Sequence, residues 1–274
     1  MSGIISMTIL RVEKSNPDYS PENTTTLTLH SSSIGRRQDV TIYHSESIDE
    51  HTPIVILLHG VYGSNWVWMQ LGGAHQVYEQ LKQQGLNDFV LVMPSDGGLW
   101  DGSGYLPLVE QGDFEKWIVD DVITGVIENI NGVSQQSNIY ITGLSMGGYG
   151  ALRLGAKYPC KFKGISAHSS VTSLKDLQQF IENPITDYQC EFEHEADIRF
   201  WLNKNNALLA PLRLDCGTDD SLYESNLALC ETFDNLKIKY QFEALSGGHE
   251  WSYWNKNLAK SLLFFDEIEK NNTI

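Results

Sequence analysis

From residue 54 onward, short apolar runs alternate with longer stretches in which apolar residues recur at helical spacing. The runs occupy 54–58, 89–93, 139–142, 164–167 and 212–216, with a last one near 238–242. Each is short and rich in branched or aromatic side chains, the composition of strands buried on both faces, as in a parallel sheet. Helical spacing extends over 76–84, 114–130, 146–158, 221–236 and 252–268. The alternation predicts an α/β fold, a mostly parallel sheet with helices on both faces. Ahead of it, 25–29 and 39–43 alternate apolar and polar positions, which predicts an antiparallel pair at the sheet edge. No repeat or low-complexity linker interrupts the series, so one domain is expected over 1–274. Residues 169–210 lie between two predicted strands and exceed the length of a crossover helix. They are read as a small helical insertion over the carboxyl edge of the sheet, carrying Phe180, Tyr188, Phe192, Phe200 and Trp201.

Composition narrows the classes of partner. With 35 acidic against 19 basic side chains, the formal charge is −16, a field that repels phosphate backbones and anionic lipid surfaces. Nucleic acid and membrane are therefore not expected partners, and a neutral or cationic small molecule is favoured. Cys160, Cys190, Cys216 and Cys230 show neither C-x-x-C pairing nor zinc-ligand spacing, so free thiols are expected. The stretch from Met1 to Leu10 lacks a basic start followed by a long apolar run, and no segment has the apolar length of a membrane span. The expected location is cytoplasmic. Nothing in the pattern fixes the oligomeric state, and a homo-oligomer remains open.

The sharpest chemical signal is Gly143-Leu144-Ser145-Met146-Gly147, between a predicted strand and a predicted helix rich in small residues. A G-x-S-x-G elbow holds its serine in a strained turn, where bulky neighbours would collide with the strand and the helix. A chance match in a chain with 23 glycines is the bland explanation, and the strand-turn-helix context argues against it. Ser145 is thus the candidate nucleophile. The first oxyanion donor would be the amide of Met146, and the second that of Val61, with Gly60 as the alternative, in the loop Leu57-Leu58-His59-Gly60-Val61-Tyr62-Gly63. His59, just before that turn, suits a structural hydrogen-bonding role.

Acid and base should follow the serine in chain order. Gly217-Thr218-Asp219-Asp220 follows a predicted strand and offers two carboxylates. Asp220 is chosen as the acid, because Asp219 lies nearer the turn glycine and can cap the next helix. The base is His249, in Gly247-Gly248-His249-Glu250-Trp251. His249-Glu250 does not begin a zinc H-E-x-x-H motif, since position 253 is Tyr253. Glu191, Glu193, His194 and Glu195 are read as a water-exposed acidic helix start rather than metal ligands. No metal and no cofactor are expected. Trp66, Trp68, Trp100, Trp251 and Trp254 lie in or near loops at the active edge. Trp66, Trp100 and Trp251 are the candidate pocket residues, with core packing as the competing explanation.

These blocks, together with Met93-Pro94-Ser95-Asp96-Gly97-Gly98, Cys216 to Tyr223 and Gly247 to Trp254, resemble the esterase D-like family of α/β-hydrolases. That family includes S-formylglutathione hydrolases and short-chain tributyrin-type or carbohydrate esterases. The resemblance spans most of the chain. It implies an α/β-hydrolase fold, hydrolysis of small acyl esters or thioesters without a cofactor, and an aspartate before the x-Leu-Tyr segment as the triad acid, which supports Asp220. S-formylglutathione hydrolases carry a cysteine-containing turn where this chain has Val61-Tyr62-Gly63-Ser64, which lowers the expectation for that substrate. The expected function is a serine carboxylesterase that hydrolyses short-chain acyl esters through an acyl-enzyme. The alternatives are an acyl-thioester hydrolase of S-formylglutathione type or an acyltransferase to a sugar or alcohol.

Overall fold

The computed structural model describes residues 8–272, so most of the stretch Met1 to Leu10 lies outside the described residues. Nine strands form one sheet: β1 (Ile9–Lys14), β2 (Thr24–Ser31), β3 (Arg36–Tyr43), β4 (Ile54–Leu58), β5 (Val90–Pro94), β6 (Ile139–Gly143), β7 (Gly164–His168), β8 (Leu212–Gly217) and β9 (Tyr240–Leu245). Their spatial order is β1-β2-β3-β5-β4-β6-β7-β8-β9. β1, β2 and β3 run antiparallel at one edge, and the six strands from β5 to β9 are parallel. The expected antiparallel pair is β2 and β3, and β1 adds a strand beyond it. Most of β1 is exposed, so no alternation marks it.

Five longer helical segments cover the two faces. They are α1 (Ala74–Gln83), α2 (Phe114–Lys116, the π-helical Trp117–Val122 and Ile123–Asn129 in sequence), α3 (Met146–Lys157), α4 (Tyr223–Asn235) and α5 (Trp251–Asn272). Two apolar clusters result. One packs α2, α3 and α4 against Ile56, Leu58, Val92 and Ile141. The other packs α1 and α5 against Val55, Leu57, Leu91 and Tyr140. Alternate residues of the central strands thus serve opposite cores, which is why those strands read as unbroken apolar runs. The last strand begins two residues later than its apolar run. Lys237 takes a left-handed backbone, φ 55, and the Ile238 amide donates to Phe233 O at 2.9 Å. Ile238 therefore closes the end of α4 before the strand starts.

Residues 169–211 carry only short helical pieces, among them Leu174–Leu177 and Ile198–Lys204. The acidic stretch 191–195 does not start a helix, contrary to expectation. Asp197 caps the helix, accepting from the Arg199 amide at 2.8 Å, and Glu195 is drawn inside to meet Arg153. That arginine, on α3, is 0% exposed. Its Nη1 lies 2.6 Å from Glu115 and 2.7 Å from Glu195, and its Nη2 donates to Tyr105 O at 2.6 Å. Lys157 bridges the same two carboxylates at 2.6 Å each. Burial pushes the Glu115 carboxyl upward, but Arg153, Lys157 and the Tyr158 hydroxyl together outweigh this and hold it below the usual carboxylate range. The cluster of two cations and two anions ties α3 to α2 and to the 169–211 segment. Removing one buried partner leaves the others uncompensated. Arg153→Ala is therefore expected to lower the unfolding free energy by about 3–5 kcal/mol in urea titration; a loss under about 1 kcal/mol would contradict this account.

Candidate active site

β6 delivers the chain to Ser145 at the carboxyl edge of the sheet, and α3 starts at Met146. Ser145 has φ 53 and ψ −119, a backbone region costly for any residue with a side chain. The flanking glycines are set by contact. A Cβ on Gly143 would lie 2.3 Å from Gly147 O, and one on Gly147 would lie 2.2 Å from Leu58 O. Both clashes are with backbone, which cannot step aside. Gly60 is less tightly confined: its Cβ would meet Leu144 Cδ1 at 2.9 Å and Ser145 Cβ at 3.2 Å, so the β4 loop passes directly against the serine.

His249 Nε2 is 3.0 Å from Ser145 Oγ, and His249 Nδ1 is 2.9 Å from Asp220 Oδ2. The carboxylate side chain of Asp220 is 0% exposed, while that of His249 is 21% exposed. The other Asp220 oxygen accepts from the Leu222 amide at 2.9 Å. Burial alone would raise the Asp220 carboxyl, but His249 and the Leu222 amide overcome it and hold it below its ordinary value. Asp219 faces solvent, and its amide donates to Gly247 O at 3.0 Å. It joins the loop after β8 to the loop carrying His249.

Gly60 and Val61 line the same cavity as Ser145, and Met146 follows it in the chain; the amides of all three have no backbone acceptor among the described residues, whereas the Tyr62 amide donates to Asp101 O at 2.8 Å. His59 is 1% exposed. Its Nε2 accepts from the Asp96 amide at 3.0 Å, which leaves the proton on Nδ1 to donate to Gly60 O at 2.6 Å. This histidine fixes the loop and does not reach Ser145.

A cavity of about 410 Å³ opens beside Ser145 and His249. Tyr62, Leu144, Phe180, Trp251 and Trp254 supply much of its wall. Phe180 stacks on the His249 ring at 5.0 Å and 18°, and Trp254 meets the same ring edge-on at 4.9 Å. The Tyr62 hydroxyl donates to Phe180 O, closing a roof between the β4 loop and the 169–211 segment. Of the candidate tryptophans, Trp251 lines this cavity. Trp66 and Trp100 are outside the cavity lining and 41% and 38% exposed, and Trp100 packs on Tyr188 at 5.3 Å. Tyr62 carried no sequence signal as a pocket residue, and Phe180 was named only among the aromatics of the segment over the sheet's carboxyl edge. Phe180 sits in the segment without regular periodicity, and only its aromatic character marked it. A larger depression, about 540 Å³, lies where β8 and β9 begin, lined by Leu212, Lys237, Tyr240 and Phe264; it brings no nucleophile and base together. Among the described residues, no group of three His, Cys, Asp or Glu side chains is placed to hold a metal ion.

A family model described as "Putative esterase" matches residues 31–265. An acetyl esterase of Caldicellulosiruptor saccharolyticus is 28% identical over 236 residues, which cover 80% of this chain and 85% of that protein. Among solved structures, the fluorophosphonate-binding serine hydrolase FphF of Staphylococcus aureus superposes with a TM-score of 0.76 at 22% identity, over 90% of this chain and 99% of its own. A ferulic acid esterase superposes with a TM-score of 0.72 at 25% identity, over 94% and 99%. The fold is that of the α/β-hydrolases, as expected. Among the described residues, no helix is long and apolar enough to cross a membrane.

The depressed carboxyl of Asp220 has a consequence for stability. The folded state binds its proton less readily than the unfolded chain, so its contribution is complete above the ordinary carboxylate pKa, about 3.9, and is lost as pH falls through the lower folded value. Urea midpoints of the wild-type protein are expected to fall more steeply below about pH 4 than those of Asp220→Asn, with both curves flat near neutrality. Parallel curves would contradict the assignment.

Proposed function

The chain belongs to the "Putative esterase" family and is a carboxylic ester hydrolase, and from that premise we propose that it cleaves short-chain acyl esters with Ser145, His249 and Asp220 as a catalytic triad. The observation that carries the proposal is the 3.0 Å and 2.9 Å chain of contacts from Ser145 through His249 to a fully buried Asp220 carboxylate.

The chemistry follows from that order. His249 Nε2 takes the hydroxyl proton as Ser145 Oγ bonds to the acyl carbon. The negative charge that develops on the carbonyl oxygen is met by the Met146 amide and a second amide, that of Val61 or, alternatively, Gly60. The protonated imidazole then returns its proton to the departing alcohol, and the acyl group stays on Ser145. Water repeats the sequence, with His249 as base, and releases the acid. Asp220 accepts from Nδ1–H throughout, fixing the tautomer that leaves Nε2 free and balancing the transient positive charge. The free amides suit this role because the elbow and the β4 loop hold them rigid before substrate arrives.

The short-chain reading rests on the aromatic wall. Phe180, Trp251 and Trp254 crowd the approach to the serine, and Phe180 is held against His249 by the Tyr62 bond to its carbonyl. The acetyl esterase relative is consistent with this.

Ser145→Ala is expected to lower kcat on p-nitrophenyl acetate by roughly 10⁴-fold or more with the unfolding midpoint unchanged; near-normal turnover would refute the nucleophile. Across p-nitrophenyl esters from acetate to decanoate, kcat/KM is expected to be highest from acetate to butyrate. It should fall about tenfold or more by decanoate, the cost of roughly 1.4 kcal/mol for forcing a chain against packed rings. A value that rises with chain length would overturn the short-chain reading while leaving the triad intact. An acyl thioester and added sugar acceptors, run in the same series, separate ester hydrolysis from the two alternative chemistries.

A further inference from the structure

Behind the site lies a second polar cluster that the reaction does not use. Asp215, on β8, is 0% exposed. Its Oδ2 lies 2.9 Å from His168 Nδ1 and 2.7 Å from Arg213 Nη1, and its Oδ1 accepts from the Tyr253 hydroxyl at 2.8 Å. His168 Nε2 is 2.7 Å from Ser261 Oγ. Ser261, His168 and Asp215 thus repeat the hydroxyl-imidazole-carboxylate order of the active site. All three are 0% exposed, so no substrate reaches them and a second catalytic centre is excluded.

Burying such a group is costly, and apolar residues of similar volume would stabilise the core as well or better. Stability therefore does not explain why these residues are charged, but their connections do. The partners of Asp215 connect it to the segments that carry the three site residues. His168 ends β7, and its carbonyl accepts the Ser145 amide at 3.0 Å, a direct clamp on the strained elbow. Asp215 itself stands five residues before Asp220, and its carbonyl accepts the Ser169 amide at 2.8 Å. Tyr253 lies four residues after His249, in the first turn of α5, and its ring fills the space beside Gly247, where a Cβ would be 2.7 Å from Tyr253 Cδ2. Gly247 O in turn accepts the Asp219 amide at 3.0 Å.

We propose that Asp215 is a positioning residue that holds the Ser145 elbow, the Asp220 loop and the His249 loop in one register through His168 and Tyr253. The proposal rests on the triad reading above. Directional bonds to one carboxylate fix the relative position of three elements in a way that apolar packing, tolerant of small slides, does not. The bond from Asp215 to the segment that carries His249 is that of the Tyr253 hydroxyl, and Tyr253→Phe removes it while leaving the ring against Gly247.

The test compares Tyr253→Phe in the wild-type protein and in a His249→Ala background, with p-nitrophenyl acetate at a temperature well below both unfolding midpoints. In the wild-type background, kcat is expected to fall roughly 5- to 20-fold with KM within about twofold. In the His249→Ala background, the same change should alter the residual rate by less than about twofold, because the residue it positions is gone. Asp215→Asn should show the same split with a larger kcat loss, and labelling of Ser145 by a fluorophosphonate should slow in parallel with kcat. An unchanged kcat with a lowered unfolding midpoint, or an equal loss in both backgrounds, would overturn the proposal. If His249→Ala alone left hydrolysis intact, the triad reading would fail instead, so the two failures are distinguishable.

Discussion

The structure depends on a strained peptide. Ser145 sits at φ 53 and ψ −119, a conformation that costs of order 1–3 kcal/mol and persists only where its surroundings over-determine it. Here they do. Its amide donates to His168 O at 3.0 Å, and its carbonyl accepts from the amides of both Tyr149 and Val171 at 3.1 Å. Gly143 and Gly147 remove the Cβ atoms that would clash with backbone on either side of the turn. The hydroxyl is consequently presented at a fixed point without needing to be ordered when substrate arrives.

Charged clusters brace that point from two sides. On one, Arg153, Lys157, Glu115 and Glu195 lock α3, the helix that starts at the elbow, to α2 and to the 169–211 segment. On the other, Asp215 links β7, β8 and the start of α5. In both, oppositely charged groups are brought together out of water, where an ion pair fixes geometry more strongly than it adds net stability. The 169–211 segment gains order from the first cluster, and that order lets Phe180 stand over His249 although its own helices are short.

Much of this was legible in the sequence, for identifiable reasons. The central strands were visible because each is buried on both faces, so 54–58 and 139–142 read as unbroken apolar runs. The elbow was visible because backbone clashes restrict two positions to glycine. Asp220 and His249 drew attention because they follow strands at turns rich in glycine, and Asp219, set aside as a helix cap, has an exposed side chain. Where local pattern and tertiary partner disagreed, the pattern misled. Glu195 reads as a solvated acidic helix start, and only the distant Arg153 draws it inside. β1 escaped notice because its exposed residues carry no alternation. Trp66 and Trp100 drew attention by residue type, yet which aromatic faces the cavity is decided by loop paths. The β4 loop turns Tyr62 towards Phe180, a placement that spacing along the chain does not encode.

The parts of the site that could change with substrate and the parts that cannot are physically separate. The serine, the imidazole and the carboxylate arise at ends of β6, β9 and β8, elements whose positions are set by backbone ladders and by two buried charge clusters. Moving any of them by an ångström would cost both stability and alignment. Tyr62 and Phe180, by contrast, stand on surface segments, and Tyr62 is 69% exposed. Replacing them would alter the cavity without disturbing a ladder or a buried ion pair. Of these two, Phe180 also touches the His249 ring, as Trp254 does from the helix side. A larger or smaller residue at position 180 would reshape the cavity and change the face on which the imidazole rests, so on the proposed triad the shape of the cavity and the setting of the base meet in one ring contact.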